Sequence, residues 1–155
     1  MASGSGSASA SESASASGSA SASAPADAEC DPVGTDLAAD AATTVDVQLA
    51  DYAFVPSEIE VPAGVTTFVA ENIGQEPHEL AFLPGGGEVP FVDGVPDEEA
   101  LAAAGAFELE AFGGGQTCEA TYDLDPGTYA LFCIVETADG VTHYELGMRG
   151  TLIVE

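Results

Sequence analysis

The sequence predicts an all-β chain folded as a Greek-key β-sandwich with a short helical insertion. Three observations carry this expectation. Apolar and polar residues alternate over short segments, as in Val45, Val47 and Leu49 or Ile59 and Val61. Pro, Gly and Asp-Pro-Gly turn signals separate those segments at short intervals. Only residues 36–42 (DLAADAA) and 96–104 (PDEEALAAA) have a helical composition.

Residues 2–24 are Ser, Ala or Gly apart from Glu12. Such a stretch has nothing apolar to bury, and its interleaved Ser and Gly work against a helix, so residues 1–29 are expected to form a disordered tether. The folded domain is expected over residues 30–155. After a helical turn near 36–42, Thr44–Ala50 alternates as a half-buried strand, and Ser57–Val61 alternates again. Pro62, Ala63 and Gly64 make a turn, and the β-branched and aromatic run Val65–Glu71 is a third strand. A loop over 72–77 leads to a short strand, His78–Phe82. Residues 84–94 are rich in Gly and Pro. The helix over 96–104 carries acids in its first turn and stops at Gly105. Phe107–Ala111, Gln116–Leu124, Thr128–Cys133 and Gly150–Glu155 complete the strands. In DLDPGTY, Tyr129 follows a tight turn at the start of a late strand, as in a tyrosine corner.

Charge limits the partners. The chain has 27 acidic residues against one Arg and no Lys, a formal net charge of −26. Phosphate binding needs cations, so a nucleic-acid partner is excluded, and docking on anionic lipid is disfavoured. The acidity reads either as adaptation to salt or acid, or as steering toward a redox protein partner with a basic docking patch. The even spread of acids along the folded part favours the first reading, and the two are compatible. No apolar run is long enough to span a bilayer, so no direct membrane insertion is expected. No basic segment followed by an apolar one opens the chain, so no signal peptide is read and a mature or trimmed form is expected. A Ser/Ala/Gly tether suits a domain held off a membrane by a lipid, although the sequence carries no lipid-bearing Cys ahead of it. A monomer is expected.

The three Cys stand at 30, 118 and 133. An odd count in a secreted chain suggests one disulfide and one thiol with a task. Cys30 with Cys118 is the favoured pair, because it ties the start of the domain to a strand and leaves Cys133 free. Cys133 ends the strand TYALFC, His143 follows after nine residues, and Met148 comes five positions later. The only other His is His78, where a strand begins. Taken singly, each of these is more often a packed or hydrogen-bonded structural residue. Together, a thiolate, two imidazoles and a thioether are the donor set of a soft-metal centre, and blue-copper sites use that set. The Gly runs at 85–87 and 113–115 lack a following Lys or Ser/Thr and read as plain loops.

From about Thr44 to Glu155 the chain resembles the cupredoxins, the type 1 blue-copper proteins of plastocyanin and azurin type. The resemblance rests on the strand order, the SEIEVPAG second strand, the Asn72–Gly74 loop before His78, the Gly-Thr-Tyr strand running into Cys133, and the final His-x4-Met spacing. It implies one type 1 copper ion, with imidazole nitrogens from His78 and His143, an equatorial thiolate from Cys133 and a long axial contact from Met148. It also implies one-electron transfer rather than enzymatic activity, an exposed His143 edge as the electron port, and an extracytoplasmic location. Phe82, Phe112, Leu131, Phe132 and Leu146 are candidates for an apolar shell around the metal. Two departures stand out. The Cys133–His143 loop is long, with residues 135–141 (VETADGV) reading as a hairpin-like excursion. Glu79 follows the first His, where Asn or Ser is common in the family, which alters the groups that hold the Cys loop. A copper-tolerance or copper-delivery protein, or a copper-free module for binding, would use the same scaffold. A hydrolase built on Cys133 and His143 lacks an evident oxyanion device.

Overall fold

The structure, a computed structural model, describes residues 30–155; the expected tether over 1–29 lies outside the described residues. The alternation read in the sequence becomes β1 (Thr43–Ala50), in which Val47 and Leu49 are buried while their neighbours face outward. After it come β2 (Ala53–Val55), β3 (Glu58–Val61), β4 (Gly64–Asn72) and β5 (His78–Pro84). The insertion holds β6 (Phe91–Val92), β7 (Val95–Pro96) and α1 (Glu98–Ala103). The chain then forms β8 (Phe107–Phe112), β9 (Thr117–Leu124), β10 (Gly127–Phe132) and β11 (Arg149–Val154).

Two sheets face each other across the core among the described residues. One has the order β2-β1-β4-β9 and the other β3-β11-β10-β5-β8. The β1–β4 and β3–β11 pairs are parallel and the remaining pairs in these sheets are antiparallel. The expected β-sandwich is therefore present. Leu49, Phe68, Phe82, Phe112, Leu131 and Leu152 are each fully buried between the sheets. Burying each such side chain contributes about 1.5–3 kcal/mol. Tyr129 forms the expected corner, its hydroxyl donating to the Asp125 carbonyl at 2.8 Å. The disulfide joins Cys30 to Cys118 on β9, with Cα atoms 5.4 Å apart.

Three local readings change. The turn over 36–42 narrows to a 3-10 turn, Ala38–Asp40, with no side-chain cap to extend it. Strand β2 was not assigned from sequence; it pairs Phe54 with Leu49 and buries the Phe54 ring. The Gly/Pro-rich segment contains a two-residue hairpin, Phe91↔Pro96 and Val92↔Val95. Asp93 and Gly94 turn it with φ of 54° and 80°. An Asp-Gly pair between apolar dipeptides is the signal for this turn. Helix α1 begins at Asp97, whose side chain accepts from the Ala100 N–H at 3.0 Å. It ends where the Ala106 N–H reaches back to the Leu101 carbonyl.

A second apolar cluster lies on the outer face of the five-stranded sheet. Leu101 of α1 and Val89 pack there with Leu83, Phe132, Ile134 and Tyr144. The Val89 N–H donates to the Tyr144 hydroxyl at 3.2 Å. The insertion thus braces the segment that follows His143.

Candidate metal centre

Strand pairing alone brings three of the four expected residues to one end of the five-stranded sheet. β10 runs antiparallel to both β5 and β11, with Phe132 opposite Ala81 and Arg149. Cys133 is one step past Phe132, Met148 one step before Arg149, and His78 opens β5. The fourth, His143, arrives by the long loop. That loop is a closed excursion: Glu136 bridges Thr142, the Thr137 N–H donates to the Val141 carbonyl, and the His143 N–H donates to the Val135 carbonyl. Thr142 and Glu145 then cap a turn reciprocally, the Thr142 hydroxyl donating to Glu145 at 2.9 Å and the Glu145 N–H donating back at 3.2 Å. The Met148 N–H closes the turn on the His143 carbonyl at 2.9 Å.

The donor atoms of His78, Cys133 and His143 all lie within 4.8 Å of one another. His78 Nδ1 is 3.1 Å from His143 Nδ1, and Cys133 Sγ is 3.5 Å from His143 Nδ1. All three residues and Met148 are fully buried. Among the described residues Cys133 is the unpaired cysteine.

Both imidazoles are anchored from behind. His78 Nε2 is 2.7 Å from Asp51 Oδ1, and His143 Nε2 is 2.8 Å from Glu76 Oε1. A carboxylate oxygen only accepts, so each pairing favours the tautomer with its proton on Nε2. The two Nδ1 atoms facing each other at 3.1 Å beside a thiol make a place where a proton or a metal cation can be held between them. Two imidazoles, one thiol and a nearby thioether fit a single type 1 copper.

Burial controls the remaining ionisations. Desolvation pushes the Cys133 thiol well above its ordinary range, reinforced by the Glu79 carboxyl. Desolvation also raises the Glu79 carboxyl, with Glu108 adding to it. His78 is lowered by burial, against the Asp51 hydrogen bond that supports its charged form. Asp51 is lowered: burial opposes its charge, and the N–H groups of Gln75 and Glu76 together with His78 outweigh that. Glu79 replaces the usual neighbour of the first His in a direct way. Its Oε1 accepts from the Ile134 N–H at 2.8 Å, and its own N–H points at Cys133 Sγ at 3.5 Å. The changed residue therefore still ties β5 to the Cys loop.

Two expectations are corrected. The His143 edge is not exposed: the ring is fully buried and Glu76 covers its Nε2, with the Tyr52 ring 4.8 Å away. Leu146 does not join the apolar shell; it is 44% exposed, because the turn after His143 carries it outward. Phe82, Phe112 and Leu131 share the core with Cys133 and Met148, whereas Phe132 points to the opposite face, as its neighbouring position on the strand requires. Sequence reading missed Asp51, Tyr52 and Glu76. Nothing distinguishes two acids among 27, and only the fold brings them to the imidazoles.

The profile of the copper-binding proteins of the plastocyanin/azurin family matches residues 41–155. No curated protein matched the chain in sequence. Among solved structures, auracyanin B superposes with a TM-score of 0.58 at 24% identity, covering 74% of this chain and 90% of its own. A dithionite-reduced auracyanin from the photosynthetic bacterium Roseiflexus castenholzii superposes with a TM-score of 0.53 at 25% identity, covering 74% and 98%.

Proposed function

Because the chain belongs to the plastocyanin/azurin family of copper-binding proteins, we propose that it is a mononuclear blue-copper electron-transfer protein acting outside the cytoplasm. The observation that carries this reading is the convergence of His78 Nδ1, His143 Nδ1 and Cys133 Sγ, with both Nε2 atoms tied back to carboxylates. His78 and His143 would hold the metal through imidazole nitrogens and Cys133 through its thiolate, and Met148 would offer a weaker sulfur donor. Bound copper supplies a single one-electron couple.

The chain's own residues account for the rest. On loading, Cys133 gives up its thiol proton, which burial otherwise keeps on the sulfur. Rigid strand ends and the capped 142–148 turn hold the donors in place, so little rearranges when an electron arrives. Full burial excludes water from the sulfur. The same burial argues against a hydrolase: a nucleophilic thiol needs access and a depressed pKa, and Cys133 has neither. The disulfide favours an oxidising compartment. Among the described residues no helix is long and apolar enough to cross a membrane. A redox protein with a basic patch is the partner that the net charge of −26 favours.

Titration of the metal-free protein with Cu(II), followed by visible absorption and electron paramagnetic resonance, tests the reading. An intense thiolate-to-copper band that saturates at one equivalent, with rapid reversible reduction, is the expected result. Stoichiometric binding without reversible reduction would favour copper delivery. A colourless protein with only weak copper binding would leave a copper-free module.

A further inference from the structure

The imidazole atoms that face away from the metal position are held by a built set of side chains, not by solvent. Asp51 Oδ1 takes His78 Nε2, while Asp51 Oδ2 accepts the Gln75 N–H at 2.9 Å. Glu76 Oε1 takes His143 Nε2, and Glu76 Oε2 accepts the Tyr52 hydroxyl at 2.9 Å. The loop between β4 and β5 is fixed beneath them. The Asn72 side-chain amide donates to the carbonyls of Glu76 and Phe112, each at 2.9 Å, and the Gly74 N–H donates to Asn72 Oδ1. Gly74 leaves the room this requires: a Cβ there would lie 2.3 Å from Asp51 Oδ1 and 2.8 Å from His78 Nε2. The cap is therefore a feature of the sequence at Asp51, Tyr52, Gly74 and Glu76 together.

We propose that Asp51 and Glu76, with Tyr52 holding Glu76, are positioning residues that place the ring proton of both His78 and His143 on Nε2 and present both Nδ1 atoms to the metal. This assignment rests on the copper reading of the same site. A carboxylate on the far nitrogen makes an imidazole a stronger donor and fixes its orientation, and losing such a partner typically costs 10–100-fold in metal affinity. Two carboxylates close to the metal also favour the more highly charged Cu(II), so the pair lowers the reduction potential. Above His143 a partner meets the Glu76 carboxylate and the Tyr52 ring rather than an imidazole edge.

The test begins without copper. Nitrogen-15 NMR of the metal-free wild-type protein is expected to show both rings protonated at Nε2. A ring protonated at Nδ1 overturns the proposal. Asp51→Asn and Glu76→Gln are then compared with wild type by copper competition against a chelator and by redox titration. Affinity is expected to fall 10–100-fold and the potential to rise in each. Tyr52→Phe, which keeps both carboxylates and the ring, is expected to shift both readouts the same way by less. Unchanged affinity and potential in Asp51→Asn and Glu76→Gln overturn the proposal; if either fails to fold, Tyr52→Phe decides. A wild-type protein that takes up no copper would sink the copper reading, while the NMR result still decides where the ring protons sit.

Discussion

His78 and His143 meet nitrogen to nitrogen, with their Nδ1 atoms 3.1 Å apart although 65 residues separate them in the chain. One imidazole is set by the first residue of β5 and the other by a nine-residue excursion from the end of β10. Cys133 stands between these two routes, since its sulfur is 3.5 Å from His143 Nδ1 and accepts the N–H of the residue after His78.

Replacing Cys133 by Ser keeps a small buried side chain and removes the soft donor. Cys133→Ser is expected to bind Cu(II) without the intense visible band while its circular dichroism stays that of the wild type. A variant that kept the colour would show that Cys133 is not the copper ligand that gives the band.

Met148 is fully buried beside the other donors. Met148→Gln exchanges a thioether for a harder oxygen donor, which favours Cu(II), so the reduction potential is expected to fall. Burying the amide is expected to cost about 1–3 kcal/mol of stability in the metal-free protein. Voltammetry checks the first effect and urea unfolding the second. A potential equal to the wild-type value would mean that Met148 is not a copper ligand.

The Glu79 carboxyl is buried, shifted toward its neutral form, and bonded to the Ile134 N–H. Glu79→Gln keeps a neutral acceptor of the same shape and is expected to cost less than about 1 kcal/mol. Glu79→Ala leaves the Ile134 N–H unpaired and opens a cavity, and is expected to cost about 2–4 kcal/mol. Equal losses in the two variants, measured by denaturant unfolding without copper, would mean that this hydrogen bond is not what Glu79 contributes.

Glu108 on β8 is raised to about 7, by burial first and then by Glu110 and Glu98. Its folded value lies above its unfolded value, so the folded state binds the extra proton. The stabilisation is complete below about pH 4.5 and is lost as pH rises through about 7. With allowance for the partial exposure of Glu108, the loss is about 2 kcal/mol between pH 5 and 8. Glu108→Gln is expected to flatten that stretch of the unfolding profile and to stabilise the protein at pH 8. A slope equal to that of the wild type would assign the effect to other acids.

The candidate ligands were legible because their residue types are scarce. Two His, one Cys left over from a pair, and a Met in His-x4-Met spacing leave little choice of donor set. The strands were legible where one face is buried and the other wet, as in β1 and β9, because alternation records that difference. β2 was not, since three residues are too few to show a period. Asp51 and Glu76 were hidden by abundance, because an acid in this chain carries almost no information until the fold places it on an imidazole. The burial of His143 was hidden for a related reason: Tyr52 and Glu76 reach it from other parts of the chain, and periodicity cannot report that contact.

The Cys30–Cys118 bond closes a span of 88 residues and lands in β9, at the edge of the four-stranded sheet. A mechanical load applied to the chain ahead of Cys30 would therefore pass through sulfur into β9 and not along the backbone into β1. The segment from Cys30 to Cys118, including β1, β4, His78 and the carboxylates behind the imidazoles, would be shielded from that load. In a single-molecule stretching experiment the oxidised protein pulled from both ends should extend by less than its reduced form, by the length of that shielded span.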